Sequence, residues 1–110
     1  MAEERARRFD KHLKRELGKI IFDFLDVKSD VLVTVTRVVT NPNLFSAVVF
    51  ISIFPSREIT SIIKKLNASI YGIQQELNKK LKVRPVPKII FKLDKNPEEA
   101  AEIEKLLKNI

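Results

Sequence analysis

The sequence predicts an α+β fold, in which a three-stranded mixed sheet of order 1-2-3 is covered by helices on one face. Three observations predict it. Residues 59–83 carry Ile59, Ile63, Leu66, Ile70, Ile73, Leu77 and Leu81 three or four positions apart, one continuous stripe down a helix of 3.6 residues per turn. Residues 31–40 and 45–54 read as two strands joined by a short turn, which makes a hairpin. A third strand, residues 88–94, lies beyond the helical stripe. The second and third strands are therefore joined by a crossover and should run parallel, with a right-handed connection. The full order is α-β-β-α-(bend)-α-β-α.

The elements follow in chain order. Residues 5–25 form the first helix, with Phe9, Leu13, Leu17, Ile20, Ile21 and Phe24 on one face and Arg8, Lys11, Arg15 and Lys19 on another. Phe22 falls on the basic side, where it is either tucked under another element or free to stack. In the first strand Val31, Val33, Val35 and Val39 point one way and Thr34, Thr36 and Thr40 the other, as expected of a strand with one covered face. Asn41-Pro42-Asn43 makes the turn, proline setting φ and asparagine tolerating left-handed geometry. The second strand is apolar on both faces (Ala47, Val49, Ile51 and Ile53 against Val48, Phe50 and Phe54), the mark of a central strand, and Pro55 ends it.

Gly72 interrupts the long helix, where glycine costs about 1 kcal/mol relative to alanine. The stripe keeps its phase across it, so the helix either bends or splits into two segments sharing one buried face. Arg84-Pro85-Val86-Pro87 forces a non-helical connector. Ile89, Phe91 and Leu93 share one side of the third strand. Asn96-Pro97-Glu98-Glu99 is a strong helix start, and Ile103, Leu106, Leu107 and Ile110 give that last helix an apolar face. Val49, Ile51, Leu66, Ile73, Leu77 and Phe91 are the expected core.

Composition narrows the function. A chain of 110 residues is one domain, residues 1–110, able to bury about 65% of its unfolded surface. It has no cysteine, which excludes disulfides and thiolate metal sites. The longest apolar run, residues 47–54, contains Ser52 and falls well short of a membrane span, and the charged first residues lack the apolar core of a signal peptide. A cytoplasmic protein that does not enter membranes is expected. The formal net charge of +7 suits a polyanionic partner, nucleic acid before an anionic membrane. Like charges at the spacing of Arg8, Lys11, Arg15 and Lys19 repel by a few tenths of a kcal/mol. They reinforce one another only when something anionic lies opposite.

Catalytic readings fare poorly. His12 stands alone on a basic helix, with no second histidine and no cysteine to complete a transition-metal site. Ser56, Ser61 and Ser69 sit in no nucleophile-elbow motif, and Gly18 and Gly72 cannot build a phosphate-cradling loop. Glu98, Glu99, Glu102 and Glu104 are explained by helix-dipole complementarity at the start of the last helix. No enzyme activity and no cofactor or metal are expected.

Binding readings fare better. The predicted topology matches a type II KH-like fold, an RNA-binding architecture, although the usual G-x-x-G backbone clamp is missing. RNA would then be held mainly through phosphate contacts from lysine and arginine. The outer sheet face, with Phe50 and Phe54, is a further candidate for stacking, although Phe50 reads better as packing.

Two stretches carry a family resemblance. They are Val33-Thr34-Val35-Thr36-Arg37-Val38 followed by residues 43–52, and Leu81-Lys82-Val83-Arg84-Pro85-Val86-Pro87-Lys88-Ile89-Ile90-Phe91-Lys92-Leu93-Asp94. The second, a basic–proline–hydrophobic run closing on Asp94, is the more specific. In this order and separation they resemble the ribosome-binding factor A family over nearly the whole chain. The resemblance implies a factor that binds the immature small (30S) ribosomal subunit, contacts 16S rRNA near the decoding-centre region and supports maturation of its 5′ end. It implies no catalysis, and release by a partner such as an assembly GTPase. The sequence departs from the family at its helix bend, here Ala68, Ser69, Ile70, Tyr71 and Gly72, and at Ile73-Gln74, where Ile-Arg is expected. Val27-Lys28-Ser29-Asp30 replaces the Asp-Pro common before the first strand.

The expected phosphate contacts are Arg8, Lys11, Arg15 and Lys19, then Lys64, Lys65, Lys79, Lys80, Lys82, Arg84 and Lys88, on a monomer. The alternative is a KH-like protein-interaction module whose charge serves an acidic protein partner.

Overall fold

Apolar residues three and four apart in helix α1 (Ala2–Phe24) close one face of the molecule: Leu13, Leu17, Ile20 and Ile21 are all buried. The computed structural model describes residues 2–95. The expected last helix, with its start at Asn96 and its face of Ile103, Leu106, Leu107 and Ile110, lies outside the described residues. After α1 come β1 (Leu32–Thr40), β2 (Ser46–Phe54), a 3₁₀ turn (Ser56–Glu58), α2 (Ile59–Lys80) and β3 (Lys88–Leu93). The sheet order is β1-β2-β3, antiparallel between β1 and β2 and parallel between β2 and β3, as the sequence predicts. Among the described residues no helix is long and apolar enough to cross a membrane.

Strand β2 shows why it is central. Ala47, Val49, Ile51 and Ile53 are buried in strict alternation, while its other face is half-covered and ends on exposed Phe54. The alternation in β1 does not persist as expected. Val35 pairs with Ile51 and Arg37 with Phe50, so Thr36 is an extra residue in the ladder, a β-bulge. The bulge reverses every later side chain: Val38 turns inward and is buried, and Val39, expected inside, is exposed. It also lets the Thr36 hydroxyl donate to the buried Asp94 carboxylate at 2.6 Å. Arg37 Nε lies 3.8 Å from the same carboxylate, and its guanidinium sits 4.1 Å above the Phe50 ring. Phe50 is thus covered on the outer sheet face.

The hairpin turn also differs from expectation. Leu44, not an asparagine, takes the left-handed conformation, with φ of 64°. Both asparagines instead accept backbone N–H groups through their side chains, Asn41 from Asn43 and Asn43 from Phe45. Their oxygens hold the turn, and the strain falls on the residue after them.

Helix α2 runs from Ile59 to Lys80 without interruption through Gly72. Of the bend and the split that the sequence left open, the split is not found, and Ala68, Ser69, Tyr71 and Gly72 lie in one helix. Gly72 has a packing role, because a Cβ there would stand 2.6 Å from Cε1 and 3.0 Å from Cζ of Phe24, the last residue of α1. The buried residues of α2 are Ile62, Leu66, Ile73 and Leu77, with Leu81 just beyond its end. Ile59, Ile63 and Ile70 flank that line and are only partly covered, so the face is centred nearer Ile62 than the stripe suggested. Of the expected core, Phe91 is also only partly buried, and Ile89 is the β3 residue fully enclosed.

Gln74, standing where the family resemblance implied a cation, ties α2 to β3. Its side-chain nitrogen donates to the Pro87 carbonyl at 3.1 Å, and its oxygen accepts the Ile89 N–H at 2.9 Å.

The close approach at Gly72 can be measured by a double-mutant cycle. With the ring removed by Phe24→Ala, Gly72→Ala should stabilise the protein by about 1 kcal/mol through helix propensity. With Phe24 present the gain should vanish, leaving a coupling of about 1–2 kcal/mol in denaturant unfolding. An identical effect in both backgrounds would mean that the ring does not need the glycine.

Candidate nucleic-acid interface

Burial of Leu13 and Leu17 sets the rotation of α1 about its axis and turns its opposite face to solvent. Arg8, Lys11, Arg15 and Lys19 are all exposed there. Three of them, Lys11, Arg15 and Lys19, line an open groove of about 950 Å³ between α1 and β1. Lys14, Gly18, Phe22 and Asp23 of α1, Val33, Thr34 and Val35 of β1, and Lys80 at the end of α2 complete its walls. Among the described residues, five cations therefore face one carboxylate. Among the described residues none of these five cations forms an ion pair; the pairs found there are Arg37–Asp94, Arg57–Asp30 and Lys79–Glu76. Asp10, the acid nearest the start of the stripe, accepts a hydrogen bond from the Thr40 hydroxyl instead. Unpaired cations gathered in a concavity focus a positive potential along it.

The other expected contacts are placed differently. Arg8 continues the stripe one turn before Lys11 but does not line the groove. Lys64 and Lys65 are exposed on α2, and Lys82 and Lys88 are exposed after it, all outside the groove. Lys79 lies 3.6 Å from Glu76 one turn earlier. Arg84 has a structural occupation: its guanidinium donates to the carbonyls of Leu81 at 2.7 Å, Val83 at 3.0 Å and Asn78 at 3.2 Å. It satisfies carbonyls that the end of α2 leaves open and puts positive charge at the negative pole of the helix.

Among the groove-lining residues, sequence reasoning left out Lys14 and left Phe22 open. Lys14 lies one turn from Lys11 and Gly18, a spacing that could have drawn it into the stripe. Phe22 could be placed on the basic side but not judged free, and it is 80% exposed. A second, mainly apolar cleft of about 730 Å³ lies between Phe9 and Arg5 of α1, Pro42 and Leu44 of the hairpin turn, and Val83 and Pro85 of the connector. Among the described residues no three histidine or carboxylate side chains gather as a metal site would require.

With this geometry in place, the chain can be compared with known proteins. Residues 5–107 match the family model described as ribosome-binding factor A. The chain is 37% identical over 112 aligned positions to ribosome-binding factor A of Clostridium novyi (strain NT), an alignment covering all of this chain and 93% of the relative. It is 31% identical, with the same coverage, to ribosome-binding factor A of Clostridium botulinum (strain Okra / Type B1). Its fold is similar to the crystal structure of ribosome-binding factor A from Thermus thermophilus, with a TM-score of 0.69 at 20% identity, covering 80% of this chain and 93% of that one. It is also similar to the Thermus thermophilus homology model fitted into a cryo-EM map of a complex of that factor with 30S, with a TM-score of 0.63 at 21% identity over 76% of this chain and 88% of that one.

The division of labour between Arg84 and the groove cations predicts different costs of removal. Arg84→Ala should destabilise the fold by about 1 kcal/mol, since it strands helix-terminal carbonyls. Lys11→Gln and Lys19→Gln should each stay within about 0.5 kcal/mol of the parent protein. Urea denaturation of the three variants checks this, and equal losses would contradict it.

Proposed function

The chain belongs to the ribosome-binding factor A family, and from that premise we propose that it binds the immature small (30S) ribosomal subunit through 16S rRNA. In this reading it supports maturation of the subunit and processing of the 5′ end of that rRNA. It acts in the cytoplasm as a monomer and catalyses nothing itself. Its release falls to a partner such as an assembly GTPase. The observation that carries the reading is the groove between α1 and β1, where, among the described residues, five cations without an ion pair stand against one carboxylate. A positive concavity on a rigid helix fits a folded polyphosphate backbone, which a flexible tail of the same charge would contact without fixing orientation. The Thermus relative fitted into a 30S complex lends the partner its support.

The proposal narrows the expected contacts to Lys11, Lys14, Arg15, Lys19 and Lys80, with Arg8 extending the line along α1. With about six phosphate contacts engaged, log affinity for purified small subunits should fall against log salt with a slope of roughly −4 to −5. Replacing Lys11, Lys14, Arg15 and Lys19 together by glutamine should move the protein from the 30S fractions of a sucrose gradient to the top. A slope shallower than about −1, or association of the quadruple variant equal to that of the parent, would contradict the proposal. Association that survives removal of RNA by nuclease would instead favour an acidic protein partner.

A further inference from the structure

The groove holds three features that phosphate binding alone does not use. The first is Phe22, which extends the stripe of Lys11, Arg15 and Lys19 by a further three positions and is 80% exposed. A lone exposed phenylalanine is ordinary on a protein surface. This one lines a concavity in which half of the other described lining residues are cations.

The second feature is Gly18. It lies four residues after Lys14 and four before Phe22, so the three stack along one face of α1 as cation, gap and ring. A methyl group at Gly18 would meet no neighbouring atom within 4 Å beyond its own turn. Packing therefore does not require the glycine, and it costs α1 about 1 kcal/mol of helix propensity. What it leaves is a bare stretch of helix beside the Phe22 ring.

The third feature is the opposite wall. β1 is an edge strand, and Val33, Thr34 and Val35 bring that edge to the groove. In such a strand the peptide groups facing away from the sheet lack ladder partners and can take up hydrogen bonds from another molecule.

From these we infer that the groove takes an unpaired RNA strand, with one nucleobase stacked on Phe22 in the space Gly18 leaves open. The phosphates on either side lie along Lys11, Lys14, Arg15, Lys19 and Lys80, and the base edges face the open peptides of β1. A duplex satisfies the cations equally well. Its bases, however, are stacked and paired internally and have no free face for the ring. The inference rests on the RNA reading above and adds to it the class of RNA and the residue that reads it.

The test uses fluorescence anisotropy with the full chain and two probes, a single-stranded adenosine decamer and a perfectly paired RNA hairpin. Phe22→Ala should weaken decamer binding about 5- to 150-fold, the range one base–aromatic stack carries, and change hairpin binding by less than twofold. Phe22→Tyr should restore decamer binding. The salt slope should be unchanged in Phe22→Ala, whereas Lys14→Gln should make it shallower by about 0.7. Gly18→Leu should fill the gap and weaken decamer binding while leaving the fold at least as stable. Circular dichroism on each variant separates these effects from unfolding.

Decamer binding by Phe22→Ala equal to that of the parent overturns the inference, as does tighter binding of the hairpin than of the decamer, or no decamer binding at all. Small-subunit association lost in the quadruple glutamine variant but kept in Phe22→Ala, with decamer affinity also unchanged, would leave the RNA reading standing and this inference failed. Loss of neither would fail both.

Discussion

The structure depends on how the first helix is seated. Leu13 and Leu17 are completely enclosed and Ile20 and Ile21 nearly so, each burial worth about 1.5–3 kcal/mol. Turning α1 by even one residue would expose part of that set and bury a cation in its place, at a cost no surface interaction offsets. The rotation of the helix is therefore fixed by its apolar side, and the basic side is displayed as a consequence. The Phe24 ring over Gly72 fixes the far end of the same helix against α2. A basic surface made of long side chains thus acquires a rigid backing.

Electrostatics adds the second constraint. Like charges spaced three or four apart on a helix cost a few tenths of a kcal/mol each, and the usual remedy is an interleaved acid. Here Asp23 is the one acid among the described residues that lines the groove, while Asp10 accepts from Thr40, Glu76 sits beside Lys79, and Asp30 lies 3.7 Å from Arg57. The repulsion left in the groove is small beside the core that supports it, and an anionic partner would relieve it on contact. Other polar residues serve the frame. Gln74 ties α2 to the start of β3, Arg84 closes the end of α2, and Asp94 gathers Thr36 and Arg37 over the sheet.

Much of this was legible in the residues. The period of 3.6 in both helices, the two-sided apolar character of β2 and the obligatory crossover led to the sheet order without reference to any contact. What stayed hidden depends on atoms distant in the chain. The bulge at Thr36 appears only once β1 is paired with β2, and it turns Val39 outward although the alternation places it inside. Gly72 reads as a helix breaker until Phe24 is seen to occupy its missing Cβ. Arg84 looks like any other cation in a basic connector, and only the nearby carbonyls of α2 reveal its structural duty. For the site, spacing grouped Lys11, Arg15 and Lys19, but Lys80 is 61 positions from Lys19 and joins them only through the packing of α2.

The central claim is that the groove between α1 and β1 is the face that meets RNA, and chemical footprinting of lysines tests it most directly. The protein, free and bound to purified small subunits, is acetylated briefly, and each lysine's labelling is read by mass spectrometry. Lys11, Lys14, Lys19 and Lys80 should be strongly protected in the complex, while Lys64 and Lys65, exposed outside the groove, label as they do in the free protein. Protection of Lys64 and Lys65 with the four groove lysines still reactive would contradict the claim.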